Sequence, residues 1–182
     1  MKLLSLDQSL NNTGFCVFDD MKLLQKGVIQ PKIMGVERLN MIRQEVNSLI
    51  DKYSIDLIGI EGYSFGSNGM AVFNIGELGG VLRLLFYDRL IKYIVVPPTT
   101  VKKFLTGKGN SKKDLMLKEV YKRYDFNEDN DNIADAYVIG RFILAVEGLD
   151  GDINKSQQEI IGKFKKDQDG RQKMVKNENE AN

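Results

Sequence analysis

Three carboxylates stand where a carboxylate is costly. Asp7 closes an apolar run that starts at Lys2, Glu61 closes a second (Leu57, Ile58, Ile60), and Asp135 sits between Ala134 and Ala136 just before the apolar stretch 139–146. A buried, unpaired carboxylate costs several kcal/mol or gives up its charge to a proton, so positive charge should meet each of these. If all three converge, two like charges about 4 Å apart repel by roughly 4 kcal/mol at an effective dielectric near 20. A divalent cation is the simplest relief. Magnesium takes oxygen ligands, usually one or two carboxylates plus waters and phosphate oxygens. Two ions about 3.5 to 4 Å apart can activate a water and stabilise the leaving oxygen in phosphodiester cleavage. Asp131 and Asn132 precede Asp135 by one helical turn and share its face, so either can offer a fourth oxygen. Taken singly, each acid has an ordinary explanation: Asp7 can open a turn, Glu61 can pair with a lysine, Asp131 can cap a helix.

The rest of the composition narrows the chemistry. The chain has no histidine, which removes Ser-His-Asp, Cys-His and imidazole-zinc sites. The single cysteine, Cys16, lies in the apolar run 15–18 and reads as a buried strand thiol; one cysteine cannot form a disulfide within the chain. Neither a membrane-length apolar run nor a signal peptide is present, so a cytoplasmic protein is expected. Net charge is +1, but residues 92–124 carry nine basic side chains against two acids, Asp114 and Glu119. Such asymmetry suits a polyanion-facing surface, although a solvated lysine-rich helix would look the same.

The elements that must position the acids follow from periodicity. Residues 2–7, 14–18 and 22–29 read as strands joined by short turns, an antiparallel meander. Apolar positions Leu39, Ile42, Val46, Leu49 and Ile50 predict an amphipathic helix over 36–53. A strand over 56–61, a loop over 62–69, a glycine-containing helix over 71–90 and a strand over 93–96 come next. Shorter helices are expected over 99–105 and from Ser111 to Tyr124, with Ser111 as N-cap, and the last over 132–147. At 182 residues the chain fits one domain, 1–148, followed by a polar and flexible tail, 149–182. The order predicts an α/β protein, a mixed sheet with helices on both faces, in which Asp7 and Glu61 end neighbouring strands.

Leu4-Ser5-Leu6-Asp7-Gln8-Ser9-Leu10-Asn11-Asn12-Thr13-Gly14 resembles the first motif of the RuvC family of Holliday junction resolvases, within the ribonuclease H-like superfamily. Leu57-Ile58-Gly59-Ile60-Glu61 is similar to the second motif and Ile133-Ala134-Asp135-Ala136 to the last acidic one. Phe73 to Val81, Val95-Val96-Pro97-Pro98 and Thr106 to Lys113 follow in family order over about residues 1–147, and phage-encoded members look closest. The resemblance implies a ribonuclease H-like mixed five-stranded sheet, its first three strands antiparallel. It also implies a homodimeric, magnesium-dependent endonuclease, with manganese as a substitute and two ions, that nicks four-way junctions and forks. Family carboxylates fall on Asp7, Glu61 and Asp135; the fourth falls on Asn132, with Asp131 beside it. The usual Asp-Pro-Gly start is altered to Asp7-Gln8-Ser9. Lys102, Lys103, Lys108, Lys112 and Lys113 are then phosphate contacts, with Lys112 or Lys113 near the scissile phosphate. Tyr63 and Phe65 are placed to stack on an unpaired base. By the same resemblance, the glycine-containing helix helps form the dimer interface. Two alternatives remain open at this point: a ribonuclease H-like nuclease of hybrid duplexes, and a junction-binding protein without catalysis.

Overall fold

The computed structural model describes residues 1–63 and 70–180, the side chains of 70–72 and 171–180 excepted. Strands β1 (Lys2–Asp7), β2 (Thr13–Asp19) and β3 (Lys22–Ile29) form the antiparallel meander that the short turns predict. Helix α1 (Gly35–Tyr53) then carries the chain to β4 (Leu57–Glu61), which pairs in parallel with β1, and α2 (Met70–Asp88) leads to β5 (Lys92–Val96) on the far side of β4. The sheet order is β3-β2-β1-β4-β5, so β1 and β4 are its centre. Helices α3 (Pro98–Thr106), α4 (Lys113–Tyr124), α5 (Asp131–Val146) and α6 (Lys155–Glu180) complete the chain. Among the described residues, no helix is long and apolar enough to cross a membrane.

Strand alternation sorts the side chains onto two cores. Leu4, Leu6, Ile58 and Ile60 face α1 and α2 with Ile42, Val46, Leu82 and Phe86, whereas Leu3 and Leu57 face α5 with Ile139, Phe142 and Ile143. Since successive residues of a strand alternate faces, Asp7 and Glu61 fall on the α5 side. Helix α5 lies close to that face because small residues let it. A Cβ on Gly14 would stand 2.1 Å from the Asn132 carbonyl oxygen, and one on Gly140 would stand 2.2 Å from the Phe18 ring. Cys16 is fully buried in β2, as its apolar surroundings predict.

Two expectations are corrected. Ser111 does not cap α4: the N-cap is Lys112, without a side-chain cap bond, while the buried Ser111 hydroxyl donates to the Lys108 carbonyl and pairs with Thr106 Oγ1, folding the loop back on α3. Residues 155–180 form α6, within the stretch for which composition predicts a flexible tail. Ile161 and Phe164 are buried, the Phe164 ring meets Phe142 edge-on at 5.0 Å, and the buried Gln157 amide donates to the Phe104 carbonyl. Burial of a few apolar side chains along one stripe outweighs a polar average. The turn into α6 is fixed by Arg141, whose Nη2 lies 2.7 Å from the Asp150 carboxylate in a pair almost closed to solvent.

Candidate active site

Asp7 and Glu61 are the last residues of the two central strands, and the register Leu6↔Ile60 brings them side by side. The two carboxyl groups are close enough that the Glu61 charge helps to raise Asp7. Asp7 is only 9% exposed, and burial, followed by the charges of Glu61 and Asp135, holds its carboxyl well above the ordinary range. Burial and then Asp135 push Glu61 up to about 7. The third acid comes from α5. Asn130 caps that helix, its side chain accepting from the Asn132 and Ile133 amides, and Gly14 admits its first turn against β2. Asp135 therefore faces the pair, and burial raises it to about 6 while Lys113 opposes the shift.

The three acids stand as a neighbouring pair with a third facing it. Among the described residues, no three Asp, Glu or Cys side chains are already gathered around a single point. Mutual repulsion keeps Asp135 off the pair, and Lys113 and Lys102 offset that repulsion only in part. The donor set nevertheless fits a hard divalent cation. Three carboxylates on one side of the sheet, all raised by burial, could serve as oxygen ligands, and magnesium needs only one or two of them besides water and phosphate.

Around this core the expected residues separate. Asp131, one turn before Asp135, raises the Asp135 carboxyl and is itself held low chiefly by its ion pair with the Lys113 ammonium. Asn132 turns its side-chain amide toward Asn130 Oδ1 and Asp131 Oδ1, each 3.4 Å away, so it is engaged at the helix end. Both lysines are exposed, but Lys113, the first residue of α4, feels Asp135 and Asp7 as well as Asp131, whereas Lys112 is the N-cap before it. Lys102 acts on both Glu61 and Asp135. Lys103 and Lys108 are exposed on α3 and the loop after it. Tyr63 does not present a free ring: the Arg83 guanidinium lies 4.6 Å over it and donates to its hydroxyl at 3.1 Å, and the phenol crosses α2 at Gly79. Phe65 lies outside the described residues. Sequence reasoning missed Gln8, buried beside Asp7 with its Nε2 donating to the Glu61 carbonyl at 2.8 Å. Its place after Asp7 was the only signal.

The family model for the crossover junction endodeoxyribonuclease RuvC matches residues 3–140. The RuvC of Dictyoglomus turgidum is 28% identical over 148 residues, covering 76% of this chain and 93% of that protein. The RuvC of Brachyspira hyodysenteriae is 33% identical over 103 residues, covering 57% and 64%. Among solved structures, Thermus thermophilus RuvC superposes with a TM-score of 0.68 at 18% identity over 81% of this chain and 96% of that one. The fowlpox virus resolvase bound to its substrate Holliday junction DNA gives 0.55 at 19% identity, covering 80% and 97%. With the motifs in order, the sheet in the same arrangement and the model spanning most of its length, the chain belongs to the RuvC family of crossover junction endodeoxyribonucleases.

Proposed function

We propose that the chain resolves Holliday junctions and related branched DNA as a metal-dependent endonuclease that nicks two strands. The observation that carries this reading is the adjacent Asp7 and Glu61, one buried and one half-buried, at the ends of the central strands and faced by Asp135. Asp7, Glu61 and Asp135 would hold magnesium, or manganese in its place, as two ions, with Asp131 better placed than Asn132 to add a fourth oxygen. Bound there, the metal supplies an activated water and neutralises charge on the leaving oxygen.

The chain's own residues do the rest. Asp7 and Glu61, both raised by burial, would give up protons as positive charge binds beside them. Lys113 is paired with Asp131 and within the field of Asp7 and Asp135, so its Nζ is poised to donate to the scissile phosphate. Lys102, Lys103, Lys108 and Lys112 hold flanking phosphates without reading sequence. Residues 1–148 carry this machinery, and a cytoplasmic setting supplies the DNA.

A second copy would bring the second nick. Phe73, Leu84 and Tyr87 of α2 are exposed by 69%, 61% and 74%, and with Gly80 they form one stripe whose glycine has open space above it. This is the face by which a homodimer would form.

The test is a labelled mobile four-way junction incubated with magnesium or manganese, with nicks mapped on each strand. Paired, metal-dependent nicks are expected, and Asp7→Asn should abolish them while junction binding persists. Preferential cutting of an RNA–DNA hybrid would replace this reading with a hybrid nuclease. Tight junction binding with no metal-dependent product would replace it with a binding protein.

A further inference from the structure

Gln8 follows the first acid of the site, just past the end of β1, and is 6% exposed. The paired register of β1 and β4 extends only to Leu6↔Ile60. Asp7 and Glu61, one residue further on, are the last residues of their strands and keep their outer partners Gly14 and Val96, so the two acids stand where the ladder between β1 and β4 alone has stopped. Gln8 Nε2 donates to the Glu61 carbonyl at 2.8 Å and supplies a bond across this opening. On the opposite side, the Gly62 amide donates to the Val96 carbonyl at 2.8 Å and ties the same point of β4 to β5. Glu61 is thereby pinned from both neighbouring strands.

The other end of the amide sharpens the point. Gln8 Oε1 is buried and has no hydrogen-bond partner among the described residues. A buried acceptor without a donor is a cost that an apolar side chain of the same size would not bear. Reversing the amide would set Oε1 against the Glu61 carbonyl, oxygen to oxygen, so only the orientation with Nε2 toward Glu61 is favourable.

We propose that Gln8 is a positioning residue for the Asp7–Glu61 pair: its bond to the Glu61 carbonyl replaces the missing ladder contact and fixes the spacing at which the two carboxylates receive a divalent ion. The inference rests on the metal-dependent reading above. Residues that orient metal ligands without touching the ion typically change metal affinity by roughly ten- to a hundredfold when replaced.

The experiment titrates Mn2+ into the full chain, reading binding by calorimetry and, in parallel, the Mn2+ concentration that gives half-maximal nicking of a four-way junction. Gln8→Met keeps the volume and removes the amide. Both midpoints should rise by about tenfold or more, and nicking at saturating Mn2+ should return to within a few-fold of the parent. Unchanged midpoints would overturn the proposal, as would a lost rate that saturating Mn2+ does not restore. Should Gln8→Met fail to fold by circular dichroism, Gln8→Asn, whose amide is one methylene too short for Glu61, is judged by the same two outcomes. Asp7→Asn separates the levels. If it leaves Mn2+ binding intact, the metal reading itself falls; if it removes binding while Gln8→Met behaves as the parent, only the role of Gln8 falls.

Discussion

Asp7 and Glu61 stand side by side at the ends of two parallel strands, in a site where burial raises both carboxyls above their ordinary range. Ionising them there carries an unfavourable term.

That term sets the pH dependence of the metal-free protein. Glu61 has its folded value raised to about 7 from an unfolded 4.5, and Asp135 is raised to about 6 from 3.8. Groups shifted upward bind more protons when folded than when unfolded. Their stabilisation is complete below the unfolded value and disappears as pH rises through the folded one. The metal-free thermal midpoint should therefore fall between about pH 4.5 and pH 7, by a few kcal/mol of stability at about 1.4 kcal/mol per pKa unit. Glu61→Gln should flatten the fall, and magnesium should restore stability at pH 8. Thermal melts in chelator and in magnesium across pH 5 to 8 measure this; a metal-free midpoint that rises through the window would contradict it.

Lys113 and Lys112 are neighbours with different surroundings, and their replacements should differ in kind. Lys113→Met removes the ammonium that pairs with Asp131 and lies in the field of Asp7 and Asp135. Losing a donor aimed at a reacting phosphate typically costs about a hundredfold or more in rate, so nicking should drop on that scale with junction affinity much less affected. Lys112→Met should leave the rate of bound junction close to the parent and reduce the slope of log affinity against log salt by about 1. Single-turnover nicking and salt-dependent gel shifts distinguish the two.

Much of this arrangement is legible in the sequence, for physical reasons. The meander, the central place of β1 and the positions of Asp7 and Glu61 follow from short turns and period-two alternation, both local signals. The alanines on either side of Asp135 mark a crowded face, and the structure puts that face on the sheet. What escapes the sequence depends on contacts between distant residues. The Gln8 amide meets a carbonyl of another strand, and Arg83 covers the Tyr63 ring from α2, twenty residues along the chain. Lys112 is the N-cap of α4 and Lys113 its first residue, a boundary that the serine-to-acid spacing places one residue earlier, at Ser111. The apolar positions of α6 were visible, but a polar average hid that Ile161 and Phe164 have Phe142 and its neighbours to pack on.

The exposed stripe on α2 predicts an assembly. Leu84 is 61% exposed amid Phe73, Gly80 and Tyr87, a face with no partner in one copy among the described residues. Leu84→Glu should leave the fold intact, since the side chain touches solvent, and should convert a dimer to a monomer in light scattering at micromolar concentration. Junctions treated with the monomer should accumulate single nicks in place of paired ones. A parent protein that is monomeric under the same conditions would remove this interface.

Gly14 tests the link between packing and chemistry. A Cβ there would lie 2.1 Å from the Asn132 carbonyl oxygen and 2.5 Å from its carbon, backbone atoms that cannot yield by changing rotamer. Gly14→Ala must therefore push the first turn of α5 away from β2. The strain is of the kind that costs about 1 to 3 kcal/mol when a close-packed interior is overfilled, and a chain of this size should lose roughly 2 to 4 °C in thermal midpoint per kcal/mol. The same shift carries Asp135 away from Asp7 and Glu61, since Asp135 lies one turn into that helix, so nicking should fall by more than the loss of folded protein explains. Raising the metal concentration should recover part of the rate, because the ligands are displaced and not removed. If Gly14→Ala melts lower yet nicks at the parent rate and the parent metal midpoint, the close approach of α5 to β2 serves stability alone.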